Sequence, residues 1–248
     1  MRNVLVTGAS RGIGRAIAVA FAKNGDRVAV HYGRDRAEAE STLRTLEGDG
    51  HTLVGGDLAD PEVARTVVDT AAAELGAVDV LVNNAAIAPS AANRHEISSI
   101  PYEDWQRTWR TMLDVDLLGA ANVTYLVARR LIERQAGGSI VNVGSRGAFR
   151  GEPEFPAYGA AKAALHAFGQ SMAVALAPYG IAVTSVAPGF VGTERQQDNI
   201  DDHVRGQSPF GRVGAPEEVA AAVLHLSSPE ALWSSGAVLD LNGASYLR

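Results

Sequence analysis

Short apolar runs alternate with stretches of helical period along the whole chain. The runs are Asn3–Thr7, Arg27–Tyr32, His51–Val54, Val78–Val82, Ser139–Val143, Ile181–Val186 and Ala237–Leu241. Runs this short and mostly apolar describe strands buried on both faces, the pattern of a parallel sheet. Between them, apolar residues spaced three and four apart predict helices over 13–23, 37–46, 61–75, about 103–134, 158 to about 178, and 216–226. Pro61 suits the first turn of its helix, where no backbone bond is lost. Gly137-Gly138 breaks the chain before the fifth strand. The alternation predicts one doubly wound α/β domain over residues 1–248, built on a seven-stranded parallel sheet. No internal repeat, low-complexity tract or linker interrupts it. Residues 87–101, 146–156 and 190–212 have no clean period and are expected as loops on the substrate side.

Composition narrows the chemistry by exclusion. The net charge of −6 argues against nucleic acid, whose phosphates need a basic surface. The chain has no cysteine, so disulfides, thiol catalysis and thiolate metal sites are absent. Its six histidines are scattered without ligand spacing, and no catalytic metal is expected. No apolar run reaches membrane-spanning length, and the first strand begins without a signal peptide, so a cytoplasmic protein is expected.

Chemistry enters where the first strand stops. Thr7–Gly14 reads T-G-A-S-R-G-I-G and leads into a helix. Gly8, Gly12 and Gly14 allow a tight turn and a close backbone approach to a pyrophosphate at the positive helix end. The end of the second strand bears on which dinucleotide binds. An acid roughly 20 residues past the fingerprint would hold the NAD ribose and repel the 2′-phosphate of NADP. This strand ends His31-Tyr32-Gly33-Arg34, with no acid before Asp35. NADP(H) is therefore favoured over NAD(H). Tyr32, Arg34 and Arg11 are candidates around the phosphate, although both arginines can equally be solvated surface charges. Asp57 is either an adenine contact or a turn former. Asn83-Asn84 is either turn chemistry or a cofactor contact.

The second chemical stretch is Ser145–Lys162. Tyr158 and Lys162 are four apart on a helix and share a face. An ammonium beside a phenol favours phenolate, so Tyr158 is expected to ionise below its reference pKa of about 10. Ser145, at the end of the fifth strand, can bind the carbonyl oxygen. A proton donor, its activator and a polariser are what carbonyl reduction needs. Each residue alone has a plainer reading, as a surface helix pair or a turn serine. Their conjunction with the glycine loop gives them weight.

With these motifs in place, the chain resembles the short-chain dehydrogenase/reductase family over almost its whole length. The matches are T-G-A-S-R-G-I-G (7–14), Asp57-Leu58, Asn83-Asn84-Ala85, Ser145, Y-G-A-A-K (158–162) and P-G-F-V-G-T (188–193). The carrier-linked 3-oxoacyl reductases are the subgroup it looks most like. The resemblance implies a Rossmann fold, with Tyr158 as acid/base and Ser145 holding the substrate oxygen. Lys162 would bind the nicotinamide ribose and lower the Tyr158 pKa. Gly8, Ser10, Arg11, Gly12, Ile13, Gly14, Asp57, Leu58, Asn84, Ala85, Pro188 and Gly189 would line the cofactor. Val191 and Thr193 would meet its carboxamide. The resemblance also implies a homotetramer, or a dimer, through the helices at 103–134 and 158–178.

Two departures stand out. Ala86 replaces the usual glycine after Asn-Asn-Ala, which requires an alanine-compatible backbone there. Asp116 stands where the family's long helix carries an asparagine that holds a relay water near the lysine. As an anion it would favour the Lys162 ammonium.

The function expected first is NADPH-dependent reduction of a ketone or a 3-oxoacyl thioester. The alternatives are oxidation of a sugar or polyol, or an NADP(H)-sensing or scaffold protein with little turnover. Arg129, Arg130 and Arg134 either form an edge for an acyl carrier protein or complement a helix C-terminus. Phe149, Phe155, Phe190 and Phe210 either form an apolar substrate wall or pin loops. Glu152, Glu154 and Arg195 are candidates for a polar one.

Overall fold

Seven parallel strands form one sheet in the order β3-β2-β1-β4-β5-β6-β7. They are β1 (Asn3–Val6), β2 (Arg27–Tyr32), β3 (Thr52–Gly55), β4 (Val80–Asn83), β5 (Gly138–Val143), β6 (Ile181–Pro188) and β7 (Val238–Leu241). The structure, a computed structural model, describes residues 1–194, 196–197 and 200–248.

The apolar runs are continuous because both sheet faces are covered. Val4, Val6, Val28, Val30, Val82 and Val141 point to one face, under α1 (Gly12–Lys23) and α9 (Pro216–Leu226). Leu5, Ala29, Leu81, Ile140 and Val183 point to the other. That face is covered by α3 (Pro61–Leu75), α5 (Ala120–Glu133) and α7 (Pro156–Leu176). Successive residues of one strand thus feed two separate cores, as a period of two requires. The helices start on local signals. Asp60 accepts from the Glu62 and Val63 N–H groups ahead of Pro61, and Asp35 accepts from Glu38 to cap α2 (Arg36–Arg44).

The predicted long helix is real but not uniform. It comprises α4 (Tyr102–Leu113), a π-helical turn over Asp114–Gly119, and then α5. Gly119 faces the β3–α3 connection, where an added Cβ would lie 3.0 Å from the Leu58 carbonyl. A periodic apolar stripe does not reveal a local change from 3.6 residues per turn. The helix through Lys162 ends at Leu176, and a 3-10 turn carries the chain through Pro178. The loops contain short helices at α6 (Gly147–Arg150) and α8 (Asp202–Gly206). No described helix is long and apolar enough to cross a membrane.

The order of connection reverses between β1 and β4. In an open parallel sheet this is where the loops at the strand ends part and leave a crevice. The glycine loop leaves β1 and Asn84 leaves β4, so both motifs meet at that crevice.

Candidate active site

At the β1–α1 turn, Gly8 and Gly12 have φ of +63° and +55°, a region L side chains rarely enter. Gly14 is required for a different reason. A Cβ there would lie 2.3 Å from the Gly8 carbonyl oxygen and 2.5 Å from Asn84 Nδ2. Asn84 Nδ2 donates to the Thr7 and Gly8 carbonyls at 2.8 and 3.0 Å. Thr7 Oγ1 accepts from the Asn84 and Ala85 N–H groups. Asn84 is therefore the strut that shapes the loop. Asn83 is structural, donating to Thr124 and Asn142 in the buried interior. Helix α1 has no side-chain cap and no acid in its first turn, which leaves its first N–H groups open to an anion.

The loop is held from below by a residue that the sequence motifs do not single out. His31 is buried; its Nδ1 accepts from the Gly8 N–H at 3.0 Å, and its Nε2 lies 3.0 Å from the Gly56 carbonyl. The first bond fixes the tautomer, so Nε2 carries the proton and donates. Burial pushes this imidazole down to about 4, so it stays neutral in ordinary buffers.

The expected cofactor contacts Gly8, Ser10, Arg11, Gly12, Ile13, Gly14, Arg34, Asp57, Leu58, Asn84, Ala85, Pro188, Gly189, Val191 and Thr193 all line one cleft of about 1250 Å³. Tyr32 does not. Its ring lies across Gly55, where an added Cβ would be 2.5 Å from Cζ, and it packs against the core beside α2. Alternation along the strand turns His31 toward the loop and Tyr32 away from it. Arg34 is almost fully exposed and lies 3.8 Å from Asp57. Asp57 also accepts from the Ala59 N–H, so it is both a turn former and a cleft residue. Asp35, the first acid after β2, is engaged as the cap of α2.

Ser145, Tyr158 and Lys162 line the opposite end of the same cleft. Lys162 is buried, donates to the Val143 carbonyl at 3.1 Å, and its Nζ stands 5.8 Å from the centre of the Tyr158 ring. The expected lowering of the Tyr158 pKa is not met. Burial raises this hydroxyl well above the usual phenol value; Ser145 draws it back, while Asp116 and Glu152 push it further up. Desolvation sets the direction, and Lys162 donates to a carbonyl rather than to the phenol oxygen. The same burial lowers the proton affinity of Lys162, against the pull of Asp116.

Asp116 lies inside the π-helical turn and is almost completely buried. Its Oδ1 accepts from the Ile87 N–H at 2.7 Å, while its Oδ2 has no hydrogen-bond partner. Burial raises its pKa, with Lys162 and the Ile87 N–H pulling the other way. It tethers loop 87–101 to the long helix. Ala86 sits just before that tether and keeps an ordinary backbone. Among the described non-glycine residues only Gln135 and Ala244 have positive φ.

Two further histidines build the site. His95 is buried, accepts from the Ala157 N–H through Nε2 at 2.9 Å, and packs edge-on against Trp105 and Phe155. It fixes the first turn of α7 just before Tyr158. His166, one turn beyond Lys162, accepts from the Ser145 N–H at 3.4 Å. Burial holds it down at about 4, with the Lys162 charge acting in the same direction. Gly144 is glycine because a Cβ would lie 2.1 Å from His166 Nε2. Scattered spacing hides all three histidines in the sequence, and only the fold brings them to the motifs.

The expected four-phenylalanine wall does not assemble. Phe155 and Phe190 line the cleft, whereas Phe149 packs at a tilt against His166, as the loop-pinning alternative has it, and Phe210 is exposed to solvent. Polar groups also line this end: Arg146, Arg150, Glu152, Glu154 and Gln207. Glu154 is bonded to Arg94, which joins the two substrate-side loops. Arg195 lies outside the described residues. Arg129, Arg130 and Arg134 are each paired, with Glu133, Asp69 and Asp79.

A glycine cradle with no room for a side chain, an uncapped helix start and a Ser-Tyr-Lys group at the far end of one cleft fit a dinucleotide beside a reacting alcohol or carbonyl. The chain belongs to the short-chain dehydrogenase family, whose model matches residues 2–203. It is an oxidoreductase of that family acting on CH–OH or C=O groups. It is 36% identical to an L-rhamnose 1-dehydrogenase (NAD(P)(+)) of Sphingomonas sp. (strain SKA58), over 99% of this chain and 96% of the relative. A 3-oxoacyl-(acyl-carrier-protein) reductase of Staphylococcus aureus (strain N315) is 31% identical over 99% and 98%. The crystal structure of acetoin dehydrogenase YohF from Salmonella typhimurium superposes with a TM-score of 0.85 at 31% identity. That match covers 98% of this chain and 96% of the other.

Proposed function

We propose that the protein interconverts an alcohol and its carbonyl on a small, uncharged, hydroxylated substrate, with NADP(H) as the hydride partner. The observation that carries this reading is the meeting of Ser145, Tyr158 and Lys162 in one cleft with the open helix start of the glycine loop. Bound along that cleft, the nicotinamide supplies or accepts the hydride. Ser145 and Tyr158 hold the substrate oxygen by hydrogen bonds that strengthen as negative charge develops on it. The raised Tyr158 pKa keeps the phenol protonated, which makes it the acid for carbonyl reduction. In the oxidative direction Tyr158 must first lose that proton, so oxidation is expected to gain more from alkaline pH than reduction does.

NADP(H) is favoured by the absence of a free carboxylate at the end of β2 and by Arg11 and Arg34 on the cleft wall. A hydroxylated substrate is favoured over an acyl thioester by the polar lining around Glu152. The names of the L-rhamnose dehydrogenases point the same way. The arginines considered for an acyl carrier are neutralised by their own carboxylates, which leaves no free basic edge there. Exposed Leu118, Tyr125 and Val174 on the long helix and α7 support association of copies through those helices.

The test is oxidation of L-rhamnose and butane-2,3-diol with NADP⁺ and NAD⁺, and reduction of acetoin and a 3-oxoacyl thioester with NADPH. Tyr158→Phe is run alongside. Turnover is expected to fall by about two to four orders of magnitude in the variant, with cofactor affinity retained. Unchanged turnover, or cofactor binding with no turnover of any compound by the natural protein, leaves the NADP(H)-sensing reading.

A further inference from the structure

Among the described residues, Glu152 is the one cleft carboxylate near Tyr158 whose position is built and whose bonding is left open. It lies between α6 and α7 and is partly buried. Two glycines make its seat. A Cβ on Gly147 would lie 2.5 Å from Glu152 Oε1 and 2.9 Å from Cγ, and a Cβ on Gly159 would lie 3.5 Å from the Glu152 Cβ. The stem of Glu152 therefore lies against the first turn of α7, at the residue that follows Tyr158, while its carboxylate lies against Gly147 of α6.

It accepts no hydrogen bond from any described residue. The cations nearest it act through charge alone. Of these, Arg146 is committed to Ser245 and Gln207, and Arg150 is exposed with no hydrogen-bond partner for its guanidinium. Glu154, the other acid on this wall, is spent on Arg94. A half-desolvated carboxylate with vacant lone pairs is a strong acceptor for O–H groups and repels anions. Glu152 and Tyr158 line the same cleft, so a group bonded to the carboxylate shares the space in front of the phenol.

We infer that Glu152 is a specificity-determining residue that accepts a hydrogen bond from a second hydroxyl, adjacent to the carbon that reacts at Tyr158. The preferred substrates are then uncharged vicinal diols, including the adjacent hydroxyls of a sugar ring. The inference rests on the alcohol/carbonyl reading above and narrows it to one arrangement of oxygens.

Matched pairs differing by one hydroxyl test it: butane-2,3-diol against butan-2-ol, and L-rhamnose against its 2-deoxy counterpart. Each is measured with the natural protein and with Glu152→Gln, which keeps the size and removes the charge. A charged hydrogen bond of this kind corresponds to about a 10- to 100-fold change. The natural protein is expected to prefer each diol by that factor in kcat/KM. Glu152→Gln is expected to lose most of the preference, chiefly through KM, with the mono-alcohols little changed and the NADPH Kd unmoved. Equal loss on both members of a pair would overturn the inference, because Glu152 would then act on Tyr158 rather than on the substrate. No preference in the natural protein also overturns it. No turnover of any alcohol by protein that binds NADPH overturns the underlying reading, and the inference with it.

Discussion

Replacing His31 with phenylalanine keeps a ring of similar volume and removes both nitrogens. Two groups then lose their partners beneath the glycine loop, the Gly8 N–H and the Gly56 carbonyl. A buried polar group left unsatisfied costs about 1–3 kcal/mol, so the pair predicts a loss of about 2–6 kcal/mol. For a chain of this size each kcal/mol lowers Tm by roughly 2–4 °C. The variant also acquires a distinct pH signature. In the natural protein the ring is held at about 4, against 6.5 for a free imidazole. A histidine with a depressed folded pKa contributes stability above 6.5 that is lost as pH falls toward 4, because the unfolded chain binds the proton first. That displacement corresponds to about 3 kcal/mol. The stability gap between natural protein and variant is therefore expected to be widest above pH 7 and to narrow steadily down to pH 4. Urea unfolding followed by circular dichroism across that range measures it. Differencing the two proteins cancels the similar contribution of His166. NADPH titration should show weaker binding in the variant, since Gly8 no longer has its anchor. A gap that stays constant with pH, or a variant within 1 kcal/mol of the natural protein, would refute the reasoning.

Other outcomes follow from the same geometry. Gly14→Ala places a Cβ against the Gly8 carbonyl and Asn84, so cofactor affinity should collapse while the Tyr158 end of the cleft is untouched. Isothermal titration with NADPH checks it, and retained affinity would mean the loop can shift. Arg11→Ala with Arg34→Ala should weaken NADPH by about tenfold or more and leave NADH unchanged, as expected when charge-assisted contacts to one phosphate are lost. Equal effects on both cofactors would place the 2′-phosphate elsewhere. Asp116→Asn keeps the acceptor for Ile87 and replaces the unpartnered oxygen by an amide. Because burial raises the Asp116 pKa, native stability should fall as pH rises through its folded value. The asparagine variant should therefore gain on the natural protein in Tm as pH rises above the ordinary carboxylate value of 3.8, and the reverse trend would mark a stabilising anion.

Much of this protein was legible in one dimension. Runs such as Val4–Val6 and Val80–Val82 are apolar at every position because both sheet faces are covered, and that pattern led to a parallel doubly wound sheet. The glycine loop and the Ser145, Tyr158 and Lys162 set are local motifs at local spacings, and the fold places them where the pattern implied. What the chain could not announce were the consequences of folding two distant segments together. Tyr32 turned away because the neighbouring His31 was the side facing the loop. The Tyr158 pKa rose instead of falling because burial, a property of the whole assembly, sets its direction. The π-helical turn at Asp116 left the apolar stripe unbroken. His95 and His166, far from the residues they support, became part of the site only through tertiary contact. Sequence specified the elements and the reactive groups because those depend on neighbours along the chain. Tertiary structure decided protonation, tautomer and which wall each side chain faces, because those depend on desolvation and on partners that spacing does not encode.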